Sequence, residues 1–95
     1  MATNIARRPG SARLTVTDTS FPTAAQVTFD ESAQWIEVVN ESTTEWLEVS
    51  FDGGTTIATR LVPGINPRRE WGDVRARSVK LKSQSGGAAA QVCIE

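Results

Sequence analysis

Histidine and tyrosine are absent from this chain of 95 residues, and Cys93 is its one cysteine. A single cysteine cannot form a disulfide within the chain, and the absence of histidine removes the commonest zinc ligand. It also removes the commonest general base for catalysis by a serine or cysteine nucleophile. The sequence therefore predicts a protein that is not an enzyme and that holds no cofactor and no metal.

Long apolar runs are missing as well. No segment approaches the roughly 18 consecutive apolar residues that a membrane helix needs, and the N-terminal residues lack the apolar stretch of a secretory signal. We therefore expect a protein made in the cytoplasm without a membrane partner. With 95 residues and 39% hydrophobic content, the chain has material for one small core, which assembly with other subunits would stabilise.

The net charge is −1, but acidic and basic residues are separated along the chain. Residues 30–52 carry acidic side chains and no basic one, whereas residues 60–82 are mainly basic. Acidic and basic strands that neighbour each other in one sheet would explain this separation. Complementary patches on different subunits would explain it too. The sequence leaves both explanations open.

Short stretches in which apolar and polar residues alternate recur between turn signals. Predicted strands lie at 14–17, 27–29, 35–40, 46–51, 55–62, 79–82 and 90–94, with a further short strand at 69–71. About seven strands at this spacing are typical of an antiparallel β-sandwich or jelly roll. The predicted fold class is therefore all-β, with one β-sandwich domain at residues 14–95.

Residues 1–13 have no hydrophobic period, and they contain two adjacent arginines and the pair Pro9-Gly10. Such a segment is typical of an extended N-terminal arm that lies outside the core. We expect this arm to contact another subunit by charge-assisted bonds and strand addition. The alternative is an arm that folds back onto the sheet of its own chain.

The strongest local signal is a hairpin around Asp52-Gly53-Gly54, between two strands with alternating apolar residues. Glycines suit a turn that requires positive φ. A calcium loop is the competing interpretation, but it would need several acidic residues at regular spacing and only one is present. The sequence therefore predicts a turn here and no binding site.

Strand register assigns two tryptophans to the surface. The predicted core-facing residues are Ile36, Val38, Leu47, Val49 and Phe51. Trp35 and Trp46 then lie on the opposite face, which carries glutamates. Exposed tryptophans are enriched at protein interfaces. Cover by another part of the same chain, or a bulge that turns one ring inward, would remove that role.

A cluster of basic residues surrounds Trp71 and raises the question of nucleic acid binding. The cluster contains Arg68, Arg69, Arg75, Arg77, Lys80 and Lys82. A single-strand binder interleaves several aromatic residues along a positive groove. Only one aromatic accompanies this run, and acidic strands are equally prominent. The sequence therefore argues against a nucleic acid partner.

The order of turns and strands over residues 34–95 carries a resemblance. A strand ending at Asn40 precedes a polar loop, Val49-Ser-Phe-Asp-Gly-Gly54 follows as a hairpin, and Pro63-Gly64 turns the chain. The strand at 79–83 then leads through a Ser-Gly turn to the last strand. This order resembles small structural proteins of tailed bacteriophages. The resemblance implies a β-sandwich that decorates the capsid as a cement protein or lies in the neck or tail.

On this resemblance we expect a non-catalytic virion protein that binds the major capsid protein or other virion proteins and stabilises the shell. A homo-oligomer is expected, with a trimer favoured. The expected interface residues are Ile5, Arg7, Arg8, Arg13, Trp35, Trp46 and Trp71. Two alternatives stay open: a neck or tail subunit, and a carbohydrate-binding module that would stack sugars on its tryptophans.

Overall fold

The computed structural model describes residues 3–6, 10–20 and 25–95, which contain seven strands and no helix. The strands are β1 (Thr3–Ala6), β2 (Gly10–Val16), β3 (Ala25–Asn40), β4 (Leu47–Ser50), β5 (Thr59–Leu61), β6 (Arg68–Ser83) and β7 (Ala88–Ile94). Within these residues no helix could span a membrane. The all-β class predicted from the alternating sequence pattern is confirmed.

Two long strands, β3 and β6, connect the layers of the sandwich. They pair antiparallel, with register shifts between Thr28 and Ala33 and between Ala33 and Trp35. Such bulges bend a strand and increase its twist. Before the shifts β3 pairs with β1 and the end of β6, and after them it pairs with β7 and the start of β6. Each long strand therefore contributes to both layers.

One layer contains β1, the start of β3, the end of β6, β4 and β5, whereas the other contains β2, β7, the end of β3 and the start of β6. The strand order is β2-β7-β3-β6-β4-β5. All pairs are antiparallel except β1 with β3, which is parallel. The result is the predicted antiparallel β-sandwich with one parallel pair added at its edge.

The core lies between the inner faces of these layers. Four of the five predicted core residues, Ile36, Val38, Leu47 and Val49, are fully buried, and Phe51 is half-buried against them. The other large, fully buried apolar side chains are Val16, Val27, Leu61, Val79, Leu81, Val92 and Ile94. Together with the four residues above, they come from six strands, which is how a chain of this length builds one continuous core.

Polar residues end fewer strands than the sequence predicts. The strands expected at 27–29 and 35–40 are one strand, β3, and those expected at 69–71 and 79–82 are one strand, β6. The register shifts absorb the intervening residues without ending the ladder. The polar residues predicted that each strand would end there. Pairing between the two long strands keeps both of them continuous.

The predicted hairpin forms between β4 and β5, with Leu47 opposite Leu61. Its glycines adopt positive φ, 74° at Gly53 and 99° at Gly54. The loop is longer than predicted, because β5 begins at Thr59. Ser50 Oγ accepts a hydrogen bond from the Gly54 amide at 2.9 Å, so the Ser50 side chain orders the first part of this loop.

The N-terminal residues that the structure describes pair with the sheet of their own chain. Thr3–Ala6 lies parallel to the start of β3, and Gly10–Val16 pairs with β7 along its whole length. The boundary predicted between residues 13 and 14 therefore falls inside a strand. The physical reason is that Ala12, Leu14 and Val16 alternate toward the core. This pairing fits the alternative in which the N-terminus folds back; residues 7–9 lie outside the described residues.

Candidate binding face

The solvent side of β2, β7, the end of β3 and the start of β6 is called the outer face. Its central row is Trp35, Glu37 and Val39 on β3, which are half-buried and alternate with buried Ile36 and Val38. Period-two alternation on a strand places these two sets on opposite sides of the sheet. The outer face is therefore the solvent side of this layer, with Trp35 and Val39 on either side of Glu37 in its central row.

Charged side chains on the outer face are paired across strands. Glu37 lies opposite Glu70, two like charges that would repel each other in this position. Arg68 Nη2 resolves the repulsion, because it lies 2.9 Å from a Glu37 carboxylate oxygen and 3.0 Å from one of Glu70. The arginine thus fixes both glutamates, and Glu37 is only 16% exposed.

A second ion pair connects the edge strand β2 of the outer face to the residue that follows β3. Arg13 of β2 lies 3.2 Å from a carboxylate oxygen of Glu41, just past the end of β3. Both side chains are substantially exposed, so this pair contributes little to stability. It does orient Arg13, because the guanidinium is drawn across β7 and toward the middle of the sheet.

Cys93 lies on the outer face opposite Glu37 and is half-buried. Burial raises the pKa of its thiol, and the negative charge of Glu37 adds to that rise against a smaller opposite effect of Arg13. The thiol therefore stays protonated at neutral pH, and a thiolate is the form that reacts. This placement fits the predicted role as a small apolar residue.

Trp46 lies on the surface of the other layer, next to a buried carboxylate. Glu48 is 4% exposed and binds Arg60 at 2.8 Å and Lys82 at 3.0 Å. The Arg60 guanidinium also lies over the Trp46 ring, 4.2 Å from its centroid. Glu48 is directly opposite both basic residues in the ladder. At Glu48 the acidic and basic segments of the sequence therefore lie on neighbouring strands of one sheet.

Trp71 packs toward the core and not toward solvent on the outer face. It lies opposite buried Ile36, and its ring meets the edge of Phe51 at 4.9 Å between centroids and 88° between planes. Arg69 covers it from outside at 5.4 Å. Trp71 therefore closes an open side of the sandwich, a packing role where the sequence predicted an interface anchor.

The structure separates the expected interface residues into different places. Trp35 and Arg13 are on the outer face, Trp46 is on the surface of the other layer, and Trp71 is against the core. Ile5 lies in β1 opposite Thr28. Arg7 and Arg8 lie outside the described residues. Of the tryptophans, only Trp35 is on the outer face.

Two loop carboxylates are held by backbone N–H groups. The Ser85 amide donates a hydrogen bond to the Glu45 carboxylate at 2.8 Å and lowers the pKa of that carboxyl. This bond connects the loop before β4 to the turn between β6 and β7. The Thr56 amide donates to Asp52 at 2.8 Å and has the same effect on the pKa there. These carboxylates shape turns, and no group of three or more possible metal ligands occurs among the residues that the structure describes.

An open groove of about 450 Å³ lies between the loops after β3 and after β5, with Asn40, Ser42 and Pro67 among its lining residues. The Asn40 amide is used within the fold, since it donates to the backbone oxygens of Glu45 and Leu61 at 2.8 and 3.0 Å. Ser42 Oγ accepts a hydrogen bond from the Glu45 amide. These polar groups of the groove therefore stabilise the neighbouring loops.

The sequence predicted the face but missed the partners that shape it. Arg68 and Glu70 are far from Glu37 in the sequence, and their contact with it depends on the pairing of β3 with β6. The signal that could have found this contact is the preference for opposite charges on neighbouring strands, because glutamates on one strand are stabilised by basic residues on the next. The strand order needed to apply that rule is not readable from local sequence.

No family model matches this chain, and no curated relative matches it. Solved structures do. A periplasmic inhibitor of g-type lysozyme, PliG from Aeromonas hydrophila, is similar over 99% of this chain and 100% of that chain, with a TM-score of 0.55 and 10% identity. The pre-peptidase C-terminal domain of a Bacillus anthracis collagenase is similar over 99% and 95%, with a TM-score of 0.54 and 14% identity. At such identity the likeness shows a shared fold.

Proposed function

We propose that this chain is a non-catalytic structural protein of a tailed-phage particle that binds and stabilises the shell through its outer face. The observation that carries the binding role is the position of Trp35, a large aromatic side chain on an open sheet surface. The phage assignment is supported by the resemblance of residues 34–95 to virion proteins.

The composition of the outer face supports binding to another protein. Trp35 and Val39 are half-buried on either side of Glu37, whereas Ser11, Arg13 and Gly72 are exposed. Aromatic residues and arginines, which this face combines, are enriched at protein interfaces. A virion protein that contacts the major capsid protein needs a surface of this kind.

Because the charges of the outer face are paired within the chain, we expect its partner to recognise the shape and the apolar side chains of this face. Arg68 neutralises Glu37 and Glu70, and Arg13 pairs with Glu41. Charges that are already paired within the chain have less to offer a charged partner, so the expected anchor is Trp35.

A non-catalytic role is supported by the chemistry of the outer face. Its thiol, Cys93, has a raised pKa. Its carboxylates are engaged by arginines, and a general base must instead be available to a substrate. The proposal therefore assigns this face to binding.

The N-terminal segment has a smaller part in the proposal than the sequence alone gave it. Arg13 contributes to the outer face from β2, and Arg7 and Arg8 remain proposed contacts to the shell. A deletion of residues 1–13 would remove β1 and half of β2. Substitution of Arg7 and Arg8 by serine is therefore the cleaner test of these contacts.

Co-sedimentation with phage shells that lack this chain tests the proposed function. The wild-type chain is expected to bind, and Trp35→Ser is expected to weaken binding at least tenfold, as loss of a central aromatic anchor does. Trp46→Ser is the matched control, because Trp46 lies on the other layer, and it should bind normally. No binding by the folded wild-type chain would overturn the proposal.

The same assay separates the alternatives. A tail or neck subunit would bind tails and not shells. A carbohydrate-binding module would bind glycans instead, but one face of the Trp46 ring is already occupied by Arg60. The proposed cement role predicts binding to shells alone.

A further inference from the structure

The pair Asp52-Gly53 has a chemical property that the fold and the outer face do not use. Among the aspartates and asparagines of the chain, Asp52 alone precedes a glycine. Both residues are exposed in the loop between β4 and β5. Because glycine has no Cβ, nothing hinders approach to its backbone nitrogen. An aspartate side chain therefore closes onto the following peptide nitrogen most readily when the next residue is glycine.

The reaction begins when the Gly53 backbone nitrogen attacks Cγ of Asp52. The new N–Cγ bond closes a succinimide ring, and the proton of the nitrogen leaves with the hydroxyl of the carboxyl as one water molecule. Water then opens the ring at either carbonyl carbon. Opening at Cγ restores aspartate, whereas opening at the backbone carbonyl gives isoaspartate. One water is lost and one is gained, so the reaction needs no oxidant and no cofactor.

Hydrogen bonds hold the carboxyl that would react. Ser50 Oγ donates to Asp52 Oδ1 at 2.8 Å, and the Thr56 amide donates to the same oxygen at 2.8 Å. Ser50 Oγ also accepts a hydrogen bond from the Gly54 amide at 2.9 Å, and Ser50 is fully buried. One buried hydroxyl therefore connects the Asp52 side chain to the backbone on the far side of Gly53.

We propose that Asp52-Gly53 is a site of isoaspartate formation, and that the hydrogen bonds from Ser50 and Thr56 slow this reaction in the folded chain. While Oδ1 accepts both bonds, the carboxyl is not free to rotate onto the Gly53 nitrogen. Ring closure therefore requires local opening of the loop, which costs less free energy than global unfolding.

Ionisation of the Asp52 carboxyl acts in the same direction. The Thr56 amide, followed by the Ser50 hydroxyl, lowers the pKa of this carboxyl. Less of the carboxyl is then in the protonated form, which releases water more readily than the carboxylate does. The loop thus protects the pair by its geometry first and by its charge state second.

Isoaspartate at this position changes the loop and leaves the sandwich in place. It adds one carbon to the main chain and moves the carboxylate, so the bond to the Thr56 amide is lost from its present position. The ladder beyond the loop is independent of the carboxyl, because the Ala58 amide donates to the Val49 backbone oxygen at 2.8 Å. The expected product is a folded chain with an altered β4–β5 loop, whatever the partner of the outer face.

Ageing of the full chain in neutral buffer tests this inference. Methyl transfer from S-adenosylmethionine by an isoaspartyl methyltransferase measures the product, and mass spectrometry of the peptide that contains Asp52 locates it. Wild type in guanidinium chloride should form isoaspartate at least about tenfold faster than the folded chain, because no loop has to open first. Gly53→Ala tests the chemistry itself in guanidinium chloride, and its Cβ should slow the reaction.

Ser50→Ala tests the protective hydrogen bonds. In the folded chain it should speed isoaspartate formation at Asp52 roughly fivefold, the factor expected for loss of one hydrogen bond. Ser42→Ala is the matched control, because its Oγ accepts a hydrogen bond from Glu45 in another loop, and it should age as wild type does. The inference is overturned by no isoaspartate in the unfolded wild type, by equal rates in folded and unfolded chains, or by folded Ser50→Ala ageing at the wild-type rate.

Discussion

The guanidinium of Arg60 lies over the ring of Trp46, 4.2 Å from its centroid, in a cation–π contact. The same arginine donates from Nε to the Glu48 carboxylate at 2.9 Å. Lys82 binds that carboxylate from the other side. A strand that reads as acidic in the sequence is thus stabilised by the two basic strands that flank it.

Glu48→Gln is expected to lower the free energy of unfolding by about 2 kcal/mol, because it leaves Lys82 beside a neutral group in a largely desolvated site. The value lies below that of a fully buried pair, since the Arg60 side chain is 53% exposed. Urea unfolding measures it. Glu41→Gln is the control, and loss of its exposed pair with Arg13 should cost less than about 1 kcal/mol. Equal effects would contradict the account.

Trp71→Ala is expected to lower the free energy of unfolding by about 2–4 kcal/mol, because it removes the edge contact with Phe51 and opens the side of the core. Ile65→Ala is the control, since Ile65 is 80% exposed and its loss should change stability by less than about 0.5 kcal/mol. Thermal unfolding with a two-state fit measures both. Unchanged stability in Trp71→Ala would contradict the packing role and favour the interface role that the sequence predicted for this residue.

Asp52 predicts a dependence of stability on pH. Its folded pKa lies below the ordinary 3.8, so its contribution is present above that value and is lost as pH falls through the folded pKa. Asp52→Asn should therefore be less stable than wild type at pH 7, and the difference should begin to shrink near the ordinary pKa of 3.8 and disappear below the lower folded pKa. Urea midpoints from pH 2 to pH 7 measure this. A difference that stays constant over the range would rule out the carboxylate as its source.

Gly86→Ala is expected to destabilise the fold more than Gly53→Ala. Both glycines have positive φ, but a Cβ on Gly86 would lie 3.0 Å from the backbone oxygen of Thr17, whereas one on Gly53 would meet nothing within 4 Å. Gly53→Ala should cost about 1 kcal/mol from backbone strain alone. Gly86→Ala adds a clash with backbone that cannot move freely. Chemical unfolding measures the loss of stability in each variant. A larger loss in Gly53→Ala would contradict the close approach of Gly86 to the Thr17 backbone.

Alternation was enough to predict the fold class and most of the core. Ile36, Val38, Leu47 and Val49 were assigned correctly, because a period of two places them on one face whatever the strand order. The ends of strands were less predictable. β3 continues through residues 30–32 because β6 pairs on both sides of its bulges, and that support comes from residues over 40 positions away.

The site was only partly readable for the same reason. The outward position of Trp35 follows from its own strand, so the sequence predicted it. The sequence predicted Trp71 as an interface residue among bases, but its ring packs against Phe51, which follows β4 directly, and lies against the core. The strand predicted at 14–17 is the end of β2, whereas the start of β2 and all of β1 were missed. The start of β2 gains its order from β7, which the local sequence does not contain.

Electron cryomicroscopy of phage particles from the cells that encode this chain tests the proposed function most directly. The account predicts density for the sandwich on the shell, with the outer face and Trp35 against the major capsid protein. A particle that lacks this chain, or one that carries it with Trp35 facing solvent, would contradict it.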